Sequence, residues 1–276
     1  LHRQVEVAIN QDPTQSNGQT TQESQVQRQW QEVWRDPKLD FTGDVSLATN
    51  FDAIGFQNVK LESESLYATL DGSILDLGKT MQADLGGTWK PGWKKLNQAL
   101  QSYFGGLFEL SGNNLDQYAI LGPIFEPANT TIRQSSQLSS DLQATANLHW
   151  DTGKLLGIPV GASKLNFLLQ QKIADLKTNG IPFSKGSIQV NPKIDLRGET
   201  PMIRMTPTRV LDNVALDTET AHRWLSYVAP MMADSTSANG TFTVDIGSAA
   251  IPAFDPLGME LSGTIHLSDL QVGASP

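Results

Sequence analysis

A chain of 276 residues with 29 Asp and Glu against 20 Lys and Arg has a formal net charge of −9. Duplex DNA or RNA is therefore a poor partner, since neutralising phosphates needs a basic patch; the best basic cluster, Lys90 with Lys94 and Lys95, reads as a solvated helix face. There is no cysteine in the sequence, which removes disulfides, thiolate nucleophiles and Cys-rich metal sites together.

The chain is long enough for one large domain or two modest ones. Its hydrophobic fraction of 39% exceeds that of a disordered chain. No apolar run reaches the ~18 residues that span a bilayer. The sequence begins at Leu1, shows no signal peptide and runs directly into a strand pattern. It reads as a segment of a longer protein, with any targeting segment or membrane anchor outside it.

Val5, Val7 and Ile9 alternate with polar residues, so the chain opens as a strand. Residues 11–24 are a polar insert without apolar period. In "VQRQWQEVWRDP", Val26, Trp30, Val33 and Trp34 fall at helical spacing before Pro37, which predicts a short helix. "LDFTGDVSLAT" and "FQNVKLESESLYATLDGSIL" follow as strands, apolar on one face and polar on the other, with Asp71-Gly72 as a hairpin signal. A helix is predicted near 91–104, its stripe formed by Trp93, Leu96, Leu100, Tyr103 and Phe104. Strands resume at "FELSG" and "QYAILGPIF".

The second half repeats the plan. "DLQATANLHW", "ASKLNFLL", "KIADLKT" and "GSIQVNPKIDL" read as strands, with turns at Asn179-Gly180 and Lys185-Gly186. A helix is predicted near 218–229, with Asp217 as its N-cap and a kink at Pro230. Asn239-Gly240 reads as a turn into Phe242, Val244 and Ile246, and further strands lie near Ala249–Ala253 and at "ELSGTIHLSDLQV". The repeated order suggests one β module over 1–130 and a second over 131–276. The expected fold is mainly β: twisted antiparallel sheets forming an elongated groove or sandwich, with two or three short amphipathic helices packed on them.

Catalytic signatures are missing. His2, His149, His222 and His266 do not pair at metal-ligand spacing, and there is no H-E-x-x-H, G-x-S-x-G or G-x-G-x-x-G. "DTGK" at Asp151–Lys154 lacks the remainder of a phosphate loop. The expectation is a non-enzymatic protein with no cofactor and no metal.

What remains is apolar surface. The helix and strand faces either pack on one another as a closed core or leave an apolar groove for acyl chains. Candidate lipid contacts are Met231 and Met232, past the proline kink, with Val228 and Leu225 on the same helix and Leu165, Phe167 and Leu169 on one strand face.

The segment "NLHWDTGKLLGIPVGASKLNFLLQQKIADLKTNGIPFSKGSIQVNPKIDL", followed by "RVLDNVALDTETAHRWLSYVAPMMADSTSANGTFTVDI", resembles the C-terminal part of large AsmA-like and TamB-like envelope proteins of planctomycete-type bacteria. "WRDPKLDFTGDVSL" and "LNQALQSYFGGLFELSGNNLDQYAILGPI" resemble the stretch just before it in those proteins. The resemblance spans nearly the whole chain and rests on ordered short motifs. It implies a periplasmic protein anchored in the inner membrane by a segment outside this chain. It also implies a greasy β groove for phospholipid or another acyl-chain lipid, a role in envelope assembly, and no catalytic residues. A structural or protein-interaction module with a closed core is the alternative.

Overall fold

The computed structural model describes residues 2–9, 25–32, 36, 38–104, 108–126, 138–155, 158–198, 200–216, 236–253 and 258–274. The polar insert and the helix predicted near 218–229 lie outside the described residues. The chain divides into two compact units, Leu1–Lys38 and Leu39–Pro276.

The first unit contains β1 (His2–Ile9) and β2 (Gln25–Glu32), paired antiparallel from His2↔Glu32 to Ile9↔Gln25. The helix expected over 26–34 is thus corrected to a strand where it is described. "QVQRQWQE" places Gln at every second position, which is the two-residue period of a strand. The helical spacing of Val26 and Trp30 competed with that period, and the ladder with β1 sets all eight residues opposite a partner.

The second unit is a single antiparallel sheet of 18 strands, as expected for the fold class. Its pairings form two rows that share their last two strands. The first row runs β3 (Leu39–Leu47), β4 (Ala53–Ser63), β5 (Leu66–Leu75), β6 (Gln82–Pro91), β8 (Asp116–Pro123) and β9 (Gln143–Trp150). It continues through β12 (Ser163–Gln170), β13 (Ile173–Thr178), β16 (Lys193–Asp195) and β17 (Met202–Met205) to β19 (Thr236–Pro252) and β20 (Glu260–Ala274). The second row runs β7 (Phe108–Ser111), β10 (Thr152–Leu155), β11 (Ile158–Val160), β14 (Ile181–Phe183), β15 (Gly186–Ile188) and β18 (Thr208–Leu216), and joins the first at β19. From β9 onward the chain passes between rows through short breaks, such as Asp151 and Gly161-Ala162. The stretch "GSIQVNPKIDL", expected as one strand, is therefore two strands in different rows, divided at 189–192. The sheet also continues across the expected 130/131 boundary, since β8 pairs with β9 and β7 with β10.

Two expected turns are instead irregularities inside strands. Asp71-Gly72 lies within β5, where Asp71 Oδ1 accepts a 2.7 Å hydrogen bond from the N–H of Asn58, a bulge residue of β4 at φ 51°. The β4–β5 turn is at Glu64-Ser65, where Ser63 Oγ accepts from the Leu66 N–H at 3.1 Å. Asn239-Gly240 lies within β19, where Gly240 faces a bulge of β20 formed by Asp269, at φ 52°, and Leu270. Both reversals follow from one cause: Gly, Asn and Asp tolerate positive φ, which turns and bulges both require. The turns at Asn179-Gly180 and around Lys185 are as expected.

One turn carried no such signal. Gln171 and Lys172 join β12 to β13 with φ of 52° and 59°, the two positive values of a type I′ hairpin.

Among the described residues the one helix is α1 (Trp93–Phe104), at the predicted place. It is launched by Gly92, whose carbonyl accepts from the N–H of Lys95 at 2.9 Å and of Leu96 at 3.0 Å. A Cβ at Gly92 would lie 1.9 Å from the Glu64 carbonyl oxygen, so no larger residue fits there. The helix buries Trp93 in the main core and covers the edge of β7. Asn97 acts as a substitute strand: its Nδ2 donates to the Leu110 carbonyl at 2.7 Å, and its Oδ1 accepts from the Leu110 N–H at 3.0 Å.

Asn97→Leu is expected to strip both bonds from the half-buried β7 edge and to destabilise the protein by about 1–3 kcal/mol, measured by urea denaturation. Gln171→Asn is expected to stabilise by roughly 0.5 kcal/mol in the same assay, because Asn tolerates the left-handed conformation better.

Candidate functional site

Antiparallel pairing places directly opposed residues on one face of a sheet. Followed through the register, one such row stays apolar across eleven strands. Val45 opposes Phe56, Phe56 opposes Gly72, and Gly72 opposes Leu85. Leu85 opposes Ile120, which opposes Ala144, which opposes Leu169. Beyond Leu169 come Ala174, Ile194, Ile203 and Ile251, each opposite the one before. At about 4.8 Å between strands, ten steps make a stripe roughly 48 Å long. The neighbouring residues on the other face include Ser73, Asp84, Gln143 and Asp195. That face also carries Leu75, Leu121, Ile173 and Met202, so it is mixed where the stripe is apolar throughout.

Burial varies along the stripe. Leu169 and Ala174 are buried in a small core with Leu142. Phe56, Leu85, Ile120, Ile194, Ile203 and Ile251 are half-buried, and Val45 is exposed. The main core lies in the second row, where Trp93 of α1 meets Leu110, Trp150, Ile158, Val160, Phe183, Ile188, Val214 and Phe242.

The candidate contacts on β12 bridge these two cores. Leu165 packs against the main core, and Phe167 packs against the smaller one beside Leu169. Phe167 opposes Ala146 on one side and Leu176 on the other, so it belongs to a second apolar line parallel to the stripe. Met231, Met232, Val228 and Leu225 lie outside the described residues.

The apolar face carries one buried carboxylate that the sequence did not flag. Asp116 opposes Trp89 and is buried. Its Oδ2 accepts from the His149 N–H at 2.8 Å, and its Oδ1 contacts His149 Nδ1. Both oxygens are thus satisfied by one residue of the next strand, and the imidazole is held in a fixed orientation. This pair ties the end of β8 to the end of β9. His149 borders a shallow depression with Asn114, Lys164 and Asn179. His266 approaches Asp245 at 3.5 Å, beside the Arg209–Asp245 pair at 3.0 Å. Among the described residues no group of three His, Asp or Glu could hold a metal ion, and no helix is long and apolar enough to cross a membrane.

Tyr118 crosses the face differently. It opposes Gly87, and its hydroxyl donates to the Thr69 carbonyl at 2.9 Å, reaching over β6 to β5. A Cβ at Gly87 would meet that same carbonyl oxygen at 1.9 Å. Burial, and secondarily the charge of Asp71, push the Tyr118 phenol above its ordinary range.

No family model matches this chain, and no curated protein or solved structure matches it either.

The raised Tyr118 value fixes the sign of a pH effect. Its stabilising contribution is complete below the ordinary tyrosine value near 10 and is lost as pH climbs through the raised one. Tyr118→Phe is expected to flatten the alkaline limb of a stability–pH curve and to lose about 1 kcal/mol at neutral pH. An alkaline limb unchanged in the variant would assign that limb to other groups.

Proposed function

We propose that this chain is a non-enzymatic segment of a cell-envelope protein that binds or conducts acyl-chain lipid along the apolar face of its sheet. The observation that carries the reading is the eleven-strand stripe, apolar throughout, much of it half-buried or exposed. An acyl chain needs no directional contacts and gains about 0.8 kcal/mol per CH₂ removed from water. A sheet with a continuous apolar stripe on one face offers that exchange while its mixed face stays solvated. The resemblance to AsmA-like and TamB-like proteins supports phospholipid as the ligand and the periplasm as the compartment. It also supports attachment to the inner membrane through a segment outside this chain. Leu165 and Phe167, both half-buried, would contact the chain where the two cores meet, whereas Leu169 is buried in the smaller core.

A structural or protein-interaction module is the second reading. It is favoured by the main core, where α1 and the second row bury Trp93, Phe183 and Val214 without any ligand.

Native mass spectrometry of the gently purified chain, with extraction of bound lipid, separates the two. The conduit reading expects co-purifying phospholipid. It also expects about tenfold or greater loss of binding in Phe56→Lys, on the stripe, and Phe167→Asp, on the line beside it, because a charge on the apolar face must be desolvated when a chain lies over it. Both variants should retain cooperative unfolding. A lipid-free mass, with no uptake of a fluorescent phospholipid from vesicles, would favour the closed module.

A further inference from the structure

The sequence contains the pairs Asn17-Gly18, Asn179-Gly180 and Asn239-Gly240. An Asn followed by Gly can lose ammonia without an enzyme, because glycine has no Cβ to shield its backbone nitrogen. That nitrogen must swing onto the Asn side-chain Cγ. A backbone held in a strand ladder resists the swing, so the fold sets the rate. Asn17-Gly18 lies outside the described residues, and the other two pairs sit in contrasting places.

Asn179-Gly180 is the turn by which the chain leaves β13 of the first row for β14 of the second. Asn179 is exposed. Gly180 has a φ of 63°, and a Cβ built on it would meet nothing within 4 Å. Among the described residues no hydrogen bond holds the Asn179 side chain or the Gly180 N–H. Their neighbours are tied. The Thr178 N–H donates to Asn191 Oδ1 at 3.3 Å, Thr178 Oγ1 donates to the Val190 carbonyl at 3.2 Å, and Ile181 opposes Ile188. The freedom is thus confined to the two residues that react.

Asn239-Gly240 is flanked on both sides. Asn239 opposes Gln271 of β20, and Gly240 opposes Leu216 of β18. A Cβ at Gly240 would lie 2.9 Å from the Ser268 carbonyl oxygen and 3.1 Å from the Leu270 Cα. The swing there requires local opening of the sheet.

We infer that Asn179 is a site of spontaneous deamidation and that the fold selects it over Asn239. The Gly180 nitrogen gives its proton to solvent and bonds to Cγ of Asn179. The Cγ–Nδ2 bond breaks, and Nδ2 takes a proton from solvent and leaves as ammonia. Water then opens the resulting succinimide at either carbonyl. One opening gives aspartate; the other gives isoaspartate, in which the chain continues through Cγ. Asn179 lines the depression that His149 and Lys164 also line, so either product places a new carboxylate there. Isoaspartate also adds one backbone methylene where the chain passes between the rows. The site stands independently of the lipid reading.

The whole chain is incubated in mildly alkaline buffer, with and without denaturing urea. Peptide mapping by mass spectrometry follows the replacement of NH₂ by OH at each Asn, and an isoaspartate methyltransferase labels the isoaspartate formed. In the folded protein Asn179 is expected to convert at least about tenfold faster than Asn239, equivalent to about 1.4 kcal/mol of extra opening at the ladder site. In urea the two rates should approach one another, because both are then plain Asn-Gly. Asn239 converting as fast as Asn179 in the folded protein would overturn the inference. So would conversion of Asn179 that occurs only in urea, which would mean that the turn is held against the attack.

Discussion

Strand register is the constraint on which the rest of this structure depends. Side chains alternate between faces with a period of two, so a slip of one residue moves a whole strand's apolar set to the polar side. Here the register is kept across the first row despite several bulges. The extra residue near Asn58 is stabilised by Asp71 of the neighbouring strand, and beyond it Phe56 again meets Gly72 on the apolar face. The shift at Gly43 is likewise followed by Val45 opposite Phe56. Bulges bend and twist the strands locally without exchanging the faces.

The second row depends on the first. Strands β11, β14 and β15 are three residues long, too short to persist alone. β11 and β14 adjoin the longer strands β12 and β13 of the first row, β15 leads into the equally short β16, and the row is held by the core around Phe183 and Val214. α1 closes this row where β7 would otherwise present an open edge. The Gly92 launch, the buried Trp93 and the Asn97 amide act together: the close backbone approach sets the helix position, the indole fixes its depth, and the amide completes the hydrogen bonding at Leu110.

The polar groups on the apolar face are few, and they tie strands together. Asp116 is satisfied by the backbone and ring of His149, and Tyr118 spans three strands to reach Thr69. Burying a carboxylate without such partners would carry a penalty of several kcal/mol. Both contacts therefore fix neighbouring strands without interrupting the long apolar stripe. A ligand that recognises this face would do so chiefly through shape and apolar area, which suits an acyl chain better than a polar metabolite.

The sequence by itself determined the class, the alternation of faces and the position of α1. These are local properties: a two-residue period over "FQNVKLES" or "ASKLNFLL", and a helical stripe from Trp93 to Phe104. It also placed Leu165, Phe167 and Leu169 on one strand face, since that needs only the period. Only the tertiary structure decided which partner each strand met. "QVQRQWQE" carries both a helical and a strand period, and pairing with β1 settled it. Asp71-Gly72 and Asn239-Gly240 permit positive φ, but whether the chain reverses or merely bulges depends on the strands beside them. The turn at Gln171-Lys172 has no signal of its own and exists because β12 and β13 are held in register on either side. The Asp116–His149 pair joins residues 33 apart, and the apolar stripe joins Val45 to Ile251 through eleven strands. Propensity acts over a few residues, whereas these contacts arise from long-range pairing, which no local pattern encodes.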